Sequence, residues 1–475
     1  MTTADPSSEI SSSTAAAGPT LPDRWPLLDV LRGLAALWVI LYHLSPSAQW
    51  DRLLPGFLSF SGVGYLGVTI FFVISGYCMA VSARRVQSKI RDRDAANQPP
   101  NTWQFGWDFL LRRAWRIYPP LWCSMLVLAP LPYLKAMMLG THANPLYADF
   151  GIWDWLGTAT LLRCFQFGDM AIHLKFDKFN VVYWSLAIEF QFYLVMLGAI
   201  WLRRFSMAWL WAITLLSVVW TMSVQFGASL NSGIFLGYWL PFAMGIGLAH
   251  ARHKRWMTNL HTGYALPNLA VQILAVGGLV GTVLYLCVGG FSGGSPMTNI
   301  LFAATVTTLM YFAMAWERPA AANGDVTASN AENDPGNRSA QVSRIQAFAA
   351  VAIRPLFWLG TISYSVYLLH FNLGKLPSMV IRRVVPDDSV VGNICVIFCV
   401  LLMCGVFTIS VNARSRSCLA DDDGALIRYQ IRDRLLICPI KSAPHDLVPP
   451  ECAGSNLSAM SGLLRSIPRF MPHSL

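Results

Sequence analysis

The feature of this sequence that most constrains its fold is a series of apolar stretches, each about 20 residues long. A transmembrane helix needs about 20 largely apolar residues. Since 55% of the residues are hydrophobic and only 13% are charged, against about a quarter charged in soluble domains, we predict an all-α polytopic membrane protein with about ten transmembrane helices. The predicted spans are residues 27–45, 62–83, 117–134, 181–201, 206–227, 232–250, 268–289, 297–316, 355–374 and 390–412.

The loops between these spans predict the orientation of the chain. Cytoplasmic loops retain Lys and Arg, and with a cytoplasmic N-terminus the inner loops hold more than twice as many of these residues as the outer loops. We therefore expect a multi-pass protein of the cell membrane with both termini in the cytoplasm. In a bacterium this would be the inner membrane. The net charge of +10 lies in short juxtamembrane clusters, which suit membrane lipid as a partner and not nucleic acid.

Composition also predicts how the chain is divided. Residues 1–26 are rich in Ser, Thr and Ala and predict a disordered cytoplasmic tail, whereas residues 27–412 form one membrane domain. Within it, residues 317–354 predict a disordered cytoplasmic loop, and residues 413–475 predict a divergent cytoplasmic tail. The aromatic outer connection, residues 135–180, is expected to be structured and to lie on the membrane, where an extracytoplasmic molecule could be held.

The ten cysteines lie mostly in or beside predicted spans and lack metal-ligand spacing. Buried cysteine usually behaves as a small apolar residue. We therefore predict neither disulfides nor a metal site.

The first span, LLDVLRGLAALWVILYHL, contains Asp29, Arg32 and His43. Arg32 and His43 are about three helical turns apart, so they share one face and are separated by about 16 Å along the axis. Arginine suits phosphate groups, and histidine suits general-base catalysis near neutral pH. The alternatives are that Arg32 is a topological flank paired with Asp29 and that His43 is a hydrogen-bonded interfacial residue.

Three arginines, Arg112, Arg113 and Arg116, come just before the predicted span at 117–134. Three guanidinium groups at an inner membrane boundary can form an anion-binding site. In isolation, they also fit the ordinary positive flank of a span, so both interpretations stay open.

The fourth span places Ser185, Glu189 and Tyr193 at four-residue intervals, which predicts one polar stripe on an apolar helix. A carboxylate inside a membrane needs a donor or a cation. Glu189 could therefore orient His43, bind acceptor hydroxyls or serve only as a structural partner, and we group it with His43 as a catalytic candidate. For His370, a structural hydrogen bond to a neighbouring helix is favoured over catalysis.

Several segments together carry a family resemblance. They are LDVLRGLAALWVILYH from Asp29 to His43, GVTIFFVISGY from Gly67 to Tyr77, RRAWRIYPP from Arg112 to Pro120, YWSLAIEFQFYL from Tyr183 to Leu194 and LGTISYSVYLLH from Leu359 to His370. In this combination and order the sequence resembles acyltransferase family 3, integral membrane enzymes that O-acetylate bacterial surface polysaccharides and related glycans, lipids and antibiotics.

The resemblance implies roles for particular residues. It implies an acyl-CoA donor, of which acetyl-CoA is the expected form, that enters from the cytoplasm and contacts Arg32 and the arginines at 112, 113 and 116. It also implies that His43 is the catalytic base and that the acceptor is a hydroxyl of an extracytoplasmic glycan or lipid-linked saccharide. The chain departs from the family pattern after residue 412, where a short final signature is replaced by ISVNARSRSCLADDDG.

Two other classes of function stay open at this stage. Intramembrane charges on interrupted helices also suit a secondary transporter or exporter of a small solute, although the sequence shows no paired half-repeats. The unusual tail suits an inactive membrane scaffold. Homo-oligomerisation is left open.

Overall fold

The computed structural model describes residues 26–44, 56–99, 101–166, 172–228, 230, 233–253, 277, 280, 296–316, 337–381, 383–385 and 389–418. The chain divides into two compact units, residues 1–414 and 415–475. All side-chain contacts given below belong to the first unit. Of the second unit, only the last four residues of the final helix are described.

Every regular element within these residues is helical, which confirms the all-α prediction. The α-helices are α1 Pro26–Leu44, α2 Phe57–Gly62, α3 Gly67–Ala95, α4 Thr102–Leu128, α5 Leu131–Leu139, α6 Ile152–Ala159, α7 Tyr183–Trp201, α8 Ser206–Gln225, α9 Trp239–His253, α10 Pro296–Trp316, α11 Asn337–Leu373, α12 Lys375–Ile381 and α13 Val390–Cys418. Short 3₁₀ turns occupy Gly64–Leu66, Leu162–Phe165, Ile172–Lys175, Arg203–Phe205 and Phe235–Tyr238.

Seven helical segments of the described chain are long and apolar enough to cross a membrane, so the protein is a polytopic membrane protein. They are Leu27–Leu44, Gly64–Ala95, Thr102–Leu139, Tyr183–Trp201, Arg203–Gln225, Pro296–Met314 and Val390–Ile409. The predicted spans 232–250 and 355–374 fall on α9 and α11, whereas 268–289 lies outside the described residues except at 277 and 280. The cytoplasmic location of the termini stays a prediction.

Two helices begin well before the membrane spans predicted on them. Helix α4 begins at Thr102 and continues through Pro119 and Pro120, so the three arginines lie on a helix and not in a loop before residue 117. Its residues Phe109, Leu110, Ile117 and Leu121 are buried, and this apolar face stabilises the helix through packing that local proline content does not reveal. Helix α11 begins at Asn337, so residues 337–354 are helical where a disordered loop was predicted; residues 317–336 lie outside the described part.

Glycines allow two helix pairs to approach closely. A methyl group on Gly33 would collide with the carbonyl oxygen of Leu356, and one on Gly360 would collide with that of Asp29, so α1 and α11 are in backbone contact. Gly76 of α3 and Gly245 of α9 form a second close crossing. Small residues permit such approach, which maximises van der Waals contact where lipid supplies no hydrophobic driving force.

Candidate active site

A cavity of about 60 Å³ lies within the helix bundle, and five helices line it. Helices α1, α3, α4, α7 and α11 contribute charged groups, hydroxyl groups and aromatic rings. The lining residues are Arg32, Val68, Phe71, Phe72, Ser75, Arg116, Ser185, Leu186, Glu189, Ser363, Tyr364 and Tyr367. Arg32, Arg116 and Glu189, predicted from the sequence as site residues, therefore meet in one place.

Glu189 is held in this cavity by hydroxyl groups. The hydroxyls of Ser75 and Tyr193 donate to its Oε1 atom at 3.0 Å and 2.6 Å, respectively. Hydrogen bonds to a charged acceptor are stronger than those between neutral groups. The polar stripe predicted on α7 is present, but the described partners of Glu189 are Ser75 and Tyr193, and His43 is not among them.

The four predicted donor-binding arginines occupy different environments. Arg32 Nη1 lies 3.0 Å from Asp29 Oδ1, and its Nη2 donates to Cys78 Sγ at 3.2 Å. Arg116 lines the cavity and forms neither a hydrogen bond nor an ion pair within the described part of the chain. Arg113 donates to Ser82 Oγ and lies over the Phe109 ring, and Arg112 is exposed outside the cavity lining.

Two prolines lie one turn after Arg116 on α4. Proline has no backbone N–H, so Pro119 and Pro120 cannot donate to the carbonyl groups of Trp115 and Arg116 in the usual helical pattern. The Arg116 side chain and the carbonyl groups of Trp115 and Arg116 therefore lie on the same helical turn of α4. Such breaks are tolerated in a membrane where the backbone lines a polar space.

His43 lies beside a second histidine. His43 Nδ1 is 2.9 Å from the Val39 carbonyl oxygen and 3.3 Å from His370 Nε2. The His43 ring also packs edge-on against Phe371, with 5.2 Å between ring centroids. His43 is not among the cavity-lining residues, but His370 follows the lining residue Tyr367 by three positions, and their rings are 6.0 Å apart.

The hydrogen bond to a neighbouring helix that was predicted for His370 is present, and the sequence did not identify His43 of α1 as its partner. It also missed Ser75, Tyr364 and Tyr367 as cavity residues. Tyr364, Tyr367 and His370 recur every three residues, and this spacing, which places polar side chains along one helix surface, is the signal that could have identified them.

The connection between α4 and α7, which is predicted to be extracytoplasmic and is called the outer segment below, is folded over residues 131–166 and 172–180, as predicted for a structured segment. Arg163 Nη1 forms an ion pair with Asp154 Oδ1 at 2.8 Å, and its guanidinium lies 4.5 Å from the Phe150 ring centroid. Tyr147, Phe150, Trp155 and Phe179 form an aromatic cluster beside it.

Two asparagines join this outer segment to the end of α11. Asn180 Nδ2 donates to the Leu368 carbonyl oxygen at 2.8 Å, and Asn372 Nδ2 donates to that of Phe179 at 3.0 Å. Because Leu368 and Asn372 flank His370 in the chain, the outer segment is attached to the helical turn that carries the second histidine.

The buried polar groups of this segment serve as internal contacts. Lys175 Nζ donates to the carbonyl oxygens of Cys164 and Gln166 at 3.1 Å and 2.8 Å, and burial lowers the pKa of Lys175. Burial raises the pKa of the Cys164 thiol to about 11. Since the thiolate is the nucleophilic form, Cys164 is inert near neutral pH. Within the described residues, no group of three His, Cys, Asp or Glu side chains could hold a metal ion.

Together, these features define a class of membrane protein: a helical bundle that encloses a charged, hydroxyl-lined cavity, with an imidazole pair beside that cavity. The chain belongs to the acyltransferase family whose model, described as an acyltransferase domain, matches residues 25–411. This match covers almost all of the described helices and agrees with the resemblance found in the sequence.

Curated relatives are named as O-acetyltransferases and acyltransferases. The chain is 25% identical over 383 residues to peptidoglycan O-acetyltransferase OatA of Listeria monocytogenes, covering 76% of this chain and 51% of that protein. It is 25% identical over 372 residues to acyltransferase MdmB of Streptomyces mycarofaciens, covering 73% and 78%. It is 29% identical over 227 residues to O-acetyltransferase OatA of Staphylococcus aureus, covering 46% and 32%.

The chain thus spans about half the length of the Listeria relative and most of the Streptomyces relative. No solved structure matches the chain significantly. The family match makes the chain a member of an acyltransferase family, and O-acetyl transfer is the activity named for the Listeria and Staphylococcus relatives.

Proposed function

We propose that this protein transfers an acetyl group from cytoplasmic acetyl-CoA to a hydroxyl group of an extracytoplasmic glycan or lipid-linked saccharide. The observation that carries this proposal is the position of His43 and His370 beside a cavity that contains Arg32, Arg116 and Glu189. Family membership and the acceptor named for the Listeria relative, peptidoglycan, support the chemical class.

Arg116 is the residue best placed to contact the donor. It faces the cavity without an ion-pair partner among the described residues, and a guanidinium group provides a rigid set of donors for phosphate or carbonyl oxygen. Arg32 shares its charge with Asp29 and contributes a second cation at the same cavity. Arg113 connects α4 to α3 through its hydrogen bond to Ser82. Arg112 is proposed to make a weaker, more distant contact with the donor.

The cavity must widen when the donor binds. Its volume of about 60 Å³ is well below the roughly 300–1,000 Å³ of typical ligand pockets. We therefore propose that the helices lining the cavity separate to admit the pantetheine arm, so that the thioester reaches the level of His43.

The transfer step then needs one base. His43 Nε2 accepts the proton of the acceptor hydroxyl while the oxygen attacks the thioester carbonyl carbon. The carbon–sulfur bond breaks, the sulfur leaves as thiolate, and the proton on His43 passes to it to give the free thiol of CoA. The cations at the cavity stabilise the negative charge that develops on the carbonyl oxygen.

The outer segment is proposed to hold the acceptor. Its aromatic cluster lies on the connection that Asn180 and Asn372 attach to the turn of His370. The faces of aromatic rings can stack on the apolar faces of sugar rings. The Tyr O–H and Trp N–H groups at the ring edges can bond to sugar hydroxyl groups. In this proposal the acceptor approaches His43 from the outer segment and the donor approaches from the cavity.

The proposal is tested by mass spectrometry of surface glycans and lipids from cells with and without the gene. We expect a loss of one acetyl mass from one glycan or lipid-linked saccharide when the gene is absent. The purified protein should restore this mass with acetyl-CoA, and the His43→Ala variant should not. Restoration by His43→Ala at the wild-type rate would reject the proposed base.

A solute carrier is the competing function, because a charged cavity within a helix bundle also suits a transported ion. The two functions differ in what acetyl-CoA does. An acyltransferase is stabilised against thermal unfolding by acetyl-CoA and shows no solute counterflow in vesicles. Counterflow without acetyl transfer would favour the carrier.

A further inference from the structure

The two histidines form a hydrogen-bonded pair whose proton positions follow from their partners. His370 is fully buried, with 0% of its surface exposed. Its Nδ1 atom lies 3.1 Å from the Val366 carbonyl oxygen and 3.0 Å from that of Tyr367. A carbonyl oxygen only accepts, so Nδ1 of His370 carries the hydrogen, and Nε2 of the neutral ring is left as an acceptor.

The tautomer of His43 follows from its neighbours in the same way. Its Nδ1 atom faces the Val39 carbonyl oxygen at 2.9 Å and the acceptor His370 Nε2 at 3.3 Å. Both neighbours accept and neither donates, so Nδ1 of His43 carries the hydrogen. In the neutral ring, Nε2 of His43 is consequently unprotonated and free to act as a base.

We propose that His370 is a positioning residue that, together with the Val39 carbonyl oxygen, holds His43 in the tautomer and ring orientation needed for general-base catalysis. His370 Nε2 accepts a hydrogen bond from His43 Nδ1 before the reaction and keeps it after His43 Nε2 has gained the acceptor's proton. His370 itself neither gains nor loses a proton in this step. This inference rests on the proposed function, because it requires His43 to be the base.

Helix packing explains why the pair is preserved. The backbone contact between α1 and α11 at Gly33 and Gly360 aligns the two helices, and the pair forms farther along the same interface. Gly374 continues this contact, since a methyl group there would lie 2.7 Å from Leu44 Cδ2. The ring of Phe371 closes one side of His43.

Two substitutions of His370 distinguish the loss of its hydrogen-bond acceptor from a change in side-chain shape. His370→Gln retains an oxygen that can accept near the position of Nε2, whereas His370→Leu fills similar space without an acceptor. We expect kcat of the Leu variant to fall about 100-fold, the lower end of what general acid–base catalysis contributes, with KM for acetyl-CoA within about twofold. The kcat of the Gln variant should be at least about tenfold higher than that of the Leu variant.

A second measurement reports the tautomer of His43 in the wild-type protein itself. The ¹⁵N spectrum of histidine-labelled wild-type protein, with the His43 signal assigned by difference from His43→Ala, should show hydrogen on Nδ1 and a bare Nε2. His370→Leu should shift His43 toward a mixture of tautomers.

The outcomes distinguish this inference from the proposed function. An Nε2–H tautomer for His43 in the wild type would overturn the positioning role, as would equal kcat losses in the Gln and Leu variants or wild-type kcat in His370→Leu. Those results leave His43 as the base if His43→Ala is inactive. An active His43→Ala protein would instead overturn the proposed function and this inference together.

Discussion

At the scale of single residues, the charged side chains of the cavity differ in their ion-pair and hydrogen-bond partners. Arg32 is paired with Asp29, Glu189 accepts from two hydroxyls, and Arg116 has no ion pair within the described chain. Arg116 lines the cavity near the negative charge of Glu189 but makes no direct ion pair among the described residues, so its hydrogen-bond donors remain available to a ligand. Arg116 is therefore the residue at which donor binding should be most sensitive.

Substituting the two arginines at either end of this cluster tests that assignment. Arg116→Gln should raise KM for acetyl-CoA by about tenfold or more, because a charge-assisted hydrogen bond contributes about 1.5–3 kcal/mol. Arg112→Gln, on the same helix but outside the cavity lining, should change KM by less than about twofold. Steady-state kinetics at saturating acceptor measure both. The reverse order of effects would contradict the placement of the donor in the cavity.

The hydroxyl groups around Glu189 make a separate prediction about stability. Tyr193→Phe removes the 2.6 Å hydrogen bond to Glu189 Oε1 and should lower the free energy of unfolding by about 1.5–3 kcal/mol. Thermal unfolding in detergent measures the loss. Tyr238→Phe is the matched control, since its hydroxyl has no hydrogen bond in the described structure; an equal loss in both variants would show that the bond to Glu189 contributes nothing specific.

The residue types of the site were predictable from the sequence, but their partners were not. Arg32, His43 and Glu189 are conspicuous because ionisable residues are costly in a membrane. The pairing of His43 with His370 joins residues 327 positions apart, and a single sequence does not specify which helices are neighbours. Arg112, Arg113 and Arg116 are equally basic in sequence, and only the rotation of α4 places one of them at the cavity.

At the scale of helices, glycines allow close backbone contact between α1 and α11 and between α3 and α9. The predicted spans that are described coincide well with helices where the apolar stretch is uninterrupted, as in α7 and α8. The span predicted on α4 starts late because the apolar stretch begins only after Arg116, whereas packing of its apolar face lets the helix begin at Thr102. Prediction failed for α11 because a polar composition does not prevent helix formation when the segment continues a membrane helix.

Two glycines on α9 provide a matched test of helix contact. Gly245 faces α3, where a methyl group would collide with the Val73 carbonyl oxygen, whereas Gly247 has no atom within 4 Å of such a group. Gly245→Ala should destabilise the protein by about 1–3 kcal/mol through overpacking. Gly247→Ala should have no cost and could add up to about 1 kcal/mol through helix propensity.

Thermal unfolding of the two alanine variants reports the difference directly. The midpoint of Gly245→Ala should fall below that of the wild type, and that of Gly247→Ala should be equal or higher. Equal destabilisation by both substitutions would contradict the close crossing of α3 and α9.

At the scale of the whole molecule, the proposed mechanism requires the donor and the acceptor to approach from opposite sides of the membrane. The segment between α3 and α4 is predicted to be cytoplasmic, and the outer segment that follows α5 is predicted to be extracytoplasmic. Both contain exposed residues suited to labelling, Gln98 and His142. The mechanism depends on this orientation, because acetyl-CoA is a cytoplasmic metabolite.

Cysteine labelling tests the orientation. In a variant without native cysteines, Gln98→Cys should react with a membrane-impermeant maleimide only after the membrane is opened, and His142→Cys should react in intact cells. The activity of the cysteine-free parent is the control for folding. Labelling of both positions from the same side would require the mechanism to be redrawn.

The most direct test of the account is acetyl transfer across a bilayer by oriented protein in vesicles. Labelled acetyl-CoA is supplied on the side of Gln98, and a glycan acceptor is enclosed on the side of His142. We predict that the wild-type protein labels the enclosed glycan and that His43→Ala binds acetyl-CoA without transferring the label. Transfer by His43→Ala at the wild-type rate, or labelling of the wild-type glycan only when donor and acceptor share one side, would contradict the account.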